Sequence, residues 1–313
     1  VTSIPRVDAR TLAAPATARA LVAAGRDPGF VVLDGVVDAG FEAEMRLLLR
    51  FFALPEVAKR ALARRKFEPA HRNVYRGYFP VQRGDPTYKE GIDLGRDALD
   101  DGWTPDDGDP LTEATPWPAT EPCPGWRESV ARAYARFEAL GVELLRAVAL
   151  GLGVAPERPL GWFEGGNSTL RLLRYPPRPA DTLPADSELL PDGRVVVGRP
   201  HSDSGFVTLL WTDGTGGLQA RAPDGAWLDV PGDGLAVNFG QMLSDITGGA
   251  IRATEHRVVG GLGERGSVPF FFEPRVEARI EPLLGEAAPF VYGDFLWERM
   301  RRFVEFHGVE RRL

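Results

Sequence analysis

The 313-residue sequence has one cysteine and four histidines, and it lacks the uninterrupted apolar run of about 18 residues that a membrane-crossing helix needs. A single cysteine excludes an internal disulfide. Cys123 lies in the loop Glu121-Pro-Cys-Pro124, with no neighbour that would make a metal or nucleophile arrangement. Positive charge is also short: 37 Lys and Arg against 44 Asp and Glu leave −7, which argues against the basic footprint of a nucleic-acid binder. The one basic stretch, Arg299-Met-Arg-Arg302 with Arg311 and Arg312, is interspersed with Glu298, Glu305 and Glu310 and reads as the solvated face of a last helix. The first residues, Val1-Thr-Ser-Ile-Pro-Arg6, lack the charged-then-apolar order of a signal peptide. The expectation is a cytoplasmic protein with no nucleic-acid and no membrane partner.

What the chain does have is an ordinary 43% of hydrophobic residues and a length that suits one β-rich domain with helical additions. The amino-terminal hundred residues read as helical with a few short strands. Residues 15–24 form an Ala-rich helix ended by Gly25, residues 30–33 a short strand, and Asp38 caps a helix from Ala39 to about Ala53. The longest periodic segment is 125–150, with Val130, Tyr134, Phe137, Leu144, Leu145 and Val148 along one side and Gly151 and Gly153 as stops. From about Ser168 the texture changes to short apolar runs punctuated by Gly, Pro and Asp, the pattern of a β-sandwich or jelly roll. Strands are expected over 169–175, 206–211, 217–221, 227–230, 235–238, 256–259 and 268–272. Residues 176–200, rich in proline, read as an inserted loop or hairpin. Phe270 and Phe272 alternate with Phe271, which makes one face of that strand apolar toward the cavity, and core packing accounts for all three.

The chemistry concentrates in His201-Ser202-Asp203, followed 53 residues after the aspartate by His256. Two imidazoles and one carboxylate on one face of a divalent metal leave the opposite positions open, which is how non-haem Fe(II) oxygenases are built. Residues i and i+2 of an extended segment point to the same side, so His201 and Asp203 converge on one ion. A lone His-x-Asp arises by chance in many proteins, where it marks a surface loop or a core histidine. The sequence adds a second half-site: nine residues beyond His256 comes Arg265-Gly266-Ser267. An arginine fork with a hydroxyl suits a carboxylate whose other end reaches the metal. Zinc would accept the same three ligands with water in the fourth position, giving a hydrolase, and the separate carboxylate site argues against it.

These residues resemble the 2-oxoglutarate/Fe(II) oxygenases of the isopenicillin N synthase-like superfamily. The resemblance spans most of the chain: Leu170-Arg-Leu-Leu-Arg-Tyr-Pro-Pro177, His201-Ser-Asp-Ser-Gly-Phe-Val-Thr-Leu-Leu210, Gly217-Leu-Gln219, Trp227-Leu-Asp-Val230, Leu235-Ala-Val-Asn-Phe-Gly240, Thr247-Gly248-Gly249 and Glu255-His-Arg-Val258. Tyr75-Arg-Gly-Tyr-Phe79 and Tyr88-Lys-Glu-Gly-Ile-Asp-Leu-Gly95 resemble stretches that pack against the barrel mouth. Two positions depart from the family pattern: Leu173 stands where many plant members have asparagine, and Gln241 where an acidic residue is common.

The fold implied is mixed α/β, mainly β, with a double-stranded β-helix (jelly-roll) core, a helical N-terminal region and a supporting long helix. Its division would be one catalytic unit over 1–313, with a helical cap region over 1–124 and the supporting helix and jelly roll over 125–313. The resemblance also implies Fe(II) on His201, Asp203 and His256, and 2-oxoglutarate as co-substrate with its 5-carboxylate on Arg265, Ser267 and Tyr175. With O2, such an enzyme releases succinate and CO2 while it oxidises a small molecule, by default through hydroxylation. An amino acid or natural-product intermediate is the expected substrate by analogy. Arg72, Arg76, Arg171, Arg174 and Arg199 are candidate cations for a substrate carboxylate, although surface or structural arginines are commoner. Two other readings stay open: an iron-dependent oxidase of the same superfamily that uses no 2-oxoglutarate, and a catalytically silent jelly-roll binding protein.

Overall fold

The short apolar runs from Thr169 to Phe272 fold into eight strands divided equally between two sheets. The structure, a computed structural model, describes residues 3–82, 84–85, 87–106, 108–185, 187–301 and 308–311. Four strands come from the amino-terminal region: β1 (Arg6–Asp8), β2 (Phe30–Asp34), β3 (Gly77–Phe79) and β4 (Glu90–Leu94). Then follow β5 (Thr169–Tyr175), β6 (Val195–His201), β7 (Val207–Thr212) and β8 (Leu218–Arg221). The set continues with β9 (Trp227–Asp229), β10 (Leu235–Phe239), β11 (His256–Gly260) and β12 (Arg265–Phe272). The larger sheet has the order β1-β2-β10-β7-β12-β5-β4-β3 and the smaller β6-β11-β8-β9. Strands β5 to β12 therefore make the jelly roll, and the amino-terminal strands lengthen its larger sheet at both edges.

Two faces of the larger sheet have different duties. Its outer face packs on the long helix α4, Trp126–Leu152, once α1 (Pro15–Arg26), α2 (Ala39–Leu48) and α3 (Glu56–Arg60) have been laid down. Phe270 stacks on Phe137 with centroids 5.4 Å apart and meets the edge of Tyr134 at 5.1 Å, while Phe272 stacks on Phe163 at 4.3 Å. The apolar face carrying Phe270 and Phe272 is thus turned to the helix layer, not to the cavity, which corrects the sequence expectation. Phe271 points the other way, into the space between the sheets, and contacts the Arg171 guanidinium at 5.1 Å from its centroid. Gly141 is needed where α4 crosses this layer, because a Cβ there would lie 2.6 Å from the Phe272 ring.

Other expectations shift for packing reasons. Gly25 and Gly151 lie inside α1 and α4 instead of ending them. A Cβ on Gly151 would collide with the Ala18 carbonyl of α1, so this glycine permits the two helices to approach; Gly153, with φ 74°, is the left-handed cap that ends α4. Asp38 caps α2 as expected, accepting from the Phe41 N–H at 2.8 Å, but after Leu48 the segment tightens into a 3-10 turn over Leu49–Ala53. Within residues 176–200, expected as a loop or hairpin, the chain turns back as a hairpin from Leu189 to Val195, and 195–200 belong to β6. Pro200 is tolerated there because β6 is the edge strand and the register is irregular at that point. In the last stretch Arg299 falls in α7 (Tyr292–Met300), following α5 (Glu157–Leu160) and α6 (Gln241–Ile246), while Arg302, Glu305 and Arg312 lie outside the described residues. Among the described residues no helix is long and apolar enough to cross a membrane.

Candidate active site

His201 closes β6 and His256 opens β11, and the two are direct cross-strand partners, so their rings meet with centroids 4.3 Å apart. Asp203, two residues past the strand end, brings Oδ1 to 3.8 Å from the Nε2 of each histidine. One ligand atom from each of the three lies within 4.8 Å of the others, the only such cluster of three His, Cys, Asp or Glu among the described residues. Each Nδ1 sits against a backbone carbonyl two residues upstream, Arg199 O at 2.8 Å and Thr254 O at 3.2 Å. With Nδ1–H donating there, the tautomer is set and the Nε2 lone pair is left for a metal. Phe30 closes the rear of His256 edge-on at 5.5 Å.

Electrostatics favours the ligating forms of Asp203 and His201. Burial pushes the Asp203 carboxyl up, but the two imidazoles and hydrogen bonds from Thr208 and Asn238 outweigh it and hold it below its ordinary value. Desolvation by the protein around it, then the neighbouring His256, lowers His201, although one side of its ring is open to solvent. Two imidazoles and one carboxylate from one side, with no thiolate, are the donor set that suits ferrous iron. Access is one-sided: the His201 side chain is 56% exposed and that of His256 only 10%.

Arg265, Ser267 and Tyr175, the second half-site expected from sequence, lie on the inner face of the larger sheet. Arg265 and Ser267 both lie in β12, two apart and on one side, and Arg265 is the cross-strand partner of Tyr175 in β5. Its guanidinium lies 5.1 Å from the Tyr175 ring centroid, with Nη1 3.3 Å from Ser267 Oγ and Nε donating to the Gly216 carbonyl at 3.1 Å. Arg265 is buried yet makes no salt bridge among the described residues. A buried guanidinium without a carboxylate is costly unless a ligand supplies one. A cavity of about 210 Å³ opens beside it, lined by Tyr88, Tyr175, Val197 and Val259 among others. The register relates the two half-sites: Thr208, which holds Asp203, and Thr212, which pairs with Ser267, are four residues apart on one face of β7, roughly 13 Å. All six residues expected from sequence therefore line one interior.

The sequence pattern gives no role to Thr208 or Asn238, although both fall within the quoted motifs. Thr208 Oγ1 and Asn238 Nδ2 donate to Asp203 Oδ2 at 2.6 and 2.8 Å. Only strand pairing brings them to that carboxylate, so no local pattern marks them. Gln241, at the departure noted above, donates its backbone N–H to the Asp203 carbonyl at 2.8 Å and its amide to Asp245, so the turn at Asp203 is held without an acidic residue there.

Comparison with known proteins agrees with this geometry. The family model described as 2OG-Fe(II) oxygenase superfamily matches residues 166–274, which include the triad and the Arg265/Ser267 pair. Isopenicillin N synthase of Streptomyces clavuligerus is 29% identical over 271 residues, covering 82% of this chain and 80% of its own. The 2-oxoglutarate-dependent dioxygenase citB of Monascus ruber is 32% identical over 249 residues, covering 75% and 70%. Among solved structures, a Neurospora crassa protein in complex with alpha-KG and thymine superposes with a TM-score of 0.79 at 23% identity, over 96% of each chain. The chain belongs to the 2OG-Fe(II) oxygenase superfamily and is an oxidoreductase that uses ferrous iron and 2-oxoglutarate.

Proposed function

We propose that His201, Asp203 and His256 hold the ferrous iron, that Arg265, Ser267 and Tyr175 hold the 5-carboxylate of 2-oxoglutarate, and that the enzyme hydroxylates a small molecule. The observation that carries this reading is the buried, carboxylate-free Arg265 on the same interior as the triad. When bound, iron with 2-oxoglutarate and O2 supplies the oxidising power, and the co-substrate leaves as succinate and CO2. The protein's part is to orient. Nδ1–H bonds to Arg199 O and Thr254 O aim both imidazoles. Thr208 and Asn238 occupy Asp203 Oδ2 and turn Oδ1 to the ion. Arg265 and Ser267 fix the far end of the co-substrate, which sets how it lies on the metal.

An amino acid or natural-product intermediate is the substrate we favour, supported by the relative named isopenicillin N synthase and by the thymine-bound structural neighbour. We read residues 1–313 as one catalytic unit, with 1–124 as cap and 125–313 as helix-supported jelly roll; the pairing of β2 with β10 and of β4 with β5 supports this. The acidic chain with its single cysteine supports action in the cytoplasm, without nucleic-acid or membrane partners.

The test is an anaerobic titration of the protein with Fe(II) and then 2-oxoglutarate, followed by the visible charge-transfer band of a chelated keto acid. A saturable band that is absent from Asp203→Ala supports the assignment. Iron binding without a band would move the reading to an oxidase that takes all electrons from its own substrate, and no iron binding to a silent binding protein.

A further inference from the structure

Five arginines were candidates for a substrate-binding cation, and their environments separate them. Arg174 points to the outer face of the larger sheet, bonded to Glu264 and Glu90 and lining a groove with Arg46 and Gly266. Arg76 is fully buried and donates to Thr169 and to the Asn167 and Ser168 oxygens. Arg72 and Arg199 are exposed. Arg171 differs. It lies in β5 four residues before Tyr175, hence on the same inner face, and it is close enough to Asp203 for the two charges to interact. Protein packs around its guanidinium, with the rings of Phe79 and Phe271 at 5.6 and 5.1 Å, yet 28% of the side chain remains accessible.

Its hydrogen bonding is incomplete on the open side. Nε and Nη2 donate to the two oxygens of Asp93 at 2.5 and 2.8 Å, and Nη1 has no partner among the described residues. Asp93, in turn, is only 1% exposed and is shared with Arg64, whose own Nε is unpartnered. Arg76 adds a third positive charge acting on Asp93. Glu113 also acts on Arg64 and Arg76, and its oxygens are taken by the backbone N–H groups of Val74, Tyr75 and Arg76. Arg171, Arg64 and Arg76 therefore cluster around Asp93, and Asp203 is a further acid that acts on Arg171. Lys89, which acts electrostatically on His201, extends the positive field toward the metal site. A guanidinium nitrogen packed against protein without an acceptor is unfavourable unless a ligand or water supplies one.

We propose that Arg171 is the receptor for a carboxylate of the substrate, so that the enzyme acts on organic acids anchored between β5 and the triad. The inference rests on the iron and 2-oxoglutarate assignment above. A fork already fixed by Asp93 on one edge is preorganised to present Nη1 on the other. The rings of Phe79 and Phe271 flank the guanidinium and suit an apolar body attached to that carboxylate.

The experiment uses the Fe(II)-loaded full chain and reads 2-oxoglutarate-dependent succinate release. Probes are acid and primary-amide pairs: phenylacetate with phenylacetamide, hexanoate with hexanamide, and N-acetylphenylalanine with its amide. Acids should stimulate release above the uncoupled background where the matched amides do not. Arg171→Gln should raise the acid concentration for half-maximal stimulation by about 30-fold, the loss expected for one charge-assisted contact. Arg171→Lys should recover part of it. Arg64 still pairs with Asp93 in both variants, and an unchanged charge-transfer band with 2-oxoglutarate reports that fold and metal site are intact. Stimulation by amides equal to that by acids, no stimulation by any acid, or an unchanged acid requirement in Arg171→Gln overturns the proposal. Absence of the band in the wild-type protein overturns the underlying metal and co-substrate assignment instead.

Discussion

Asn238 Nδ2 donates to Asp203 Oδ2 at 2.8 Å, while Oδ1 of the same carboxylate stands 3.8 Å from the Nε2 of both His201 and His256. With Thr208 Oγ1 on Oδ2 at 2.6 Å, one oxygen is bound to the larger sheet and the other is free to ligate. The carboxylate is aimed from the opposite sheet to the one that bears the two histidines.

Removing that support should loosen the metal without removing a ligand. Asn238→Ala or Thr208→Val is expected to weaken Fe(II) binding by roughly 10- to 100-fold, as loss of a ligand's hydrogen-bond partner generally does. Anaerobic calorimetry with Fe(II), alongside circular dichroism to confirm the fold, measures this. Wild-type affinity in both variants would show that Asp203 needs no such support.

Arg265 and the triad should separate by ligand. Arg265→Gln keeps a donor but loses the charged fork, so the 2-oxoglutarate concentration for half-saturation should rise by roughly 10- to 150-fold, the span of a charge-assisted hydrogen bond. Iron affinity should stay unchanged, because Arg265 makes no bond to the three ligands among the described residues. Titrating the charge-transfer band with 2-oxoglutarate gives the first value and calorimetry the second. An unaltered 2-oxoglutarate requirement would place the co-substrate elsewhere.

Glu273, just past β12, gives a pH signature to stability. Burial pushes its carboxyl from 4.5 up to about 8, with Tyr292 opposing and the Asp203 charge adding to the rise. Between those values the unfolded chain has released a proton that the native protein keeps. Stability from this group is therefore full below about pH 4.5 and is lost as pH rises toward and through 8. Glu273→Gln should flatten the decline. Urea unfolding of the metal-free protein across pH 5 to 8.5 reads the slope, and equal slopes in the two proteins would contradict a buried neutral carboxyl.

The legible part of this protein was local. Phe41 and Met45 at helical spacing, Asp38 as cap and the alternating runs from Thr169 onward identify elements because a single chain segment carries the whole signal. The His-x-Asp spacing likewise states which side chains share a side of an extended segment. Glycines were harder to read. Gly25 and Gly151 are breakers by composition, and only a second helix or strand pressed against them reveals why no Cβ is wanted.

By itself the sequence determined the residue types of the proposed ligands, the His-x-Asp spacing, the arginine-serine pair and the jelly-roll pattern, since each depends on residues within a few positions of one another. Tertiary structure decided the rest. The pairing of His201 with His256 across β6 and β11 closes a gap of 55 residues, and the inner face of the larger sheet brings Thr208 and Asn238 to Asp203. It also turned Phe270 outward to α4 and Arg171 inward beside Phe271. Side-chain alternation says that neighbours on a strand face opposite ways; only the sheet's packing against a helix on one side and a second sheet on the other says which way is in.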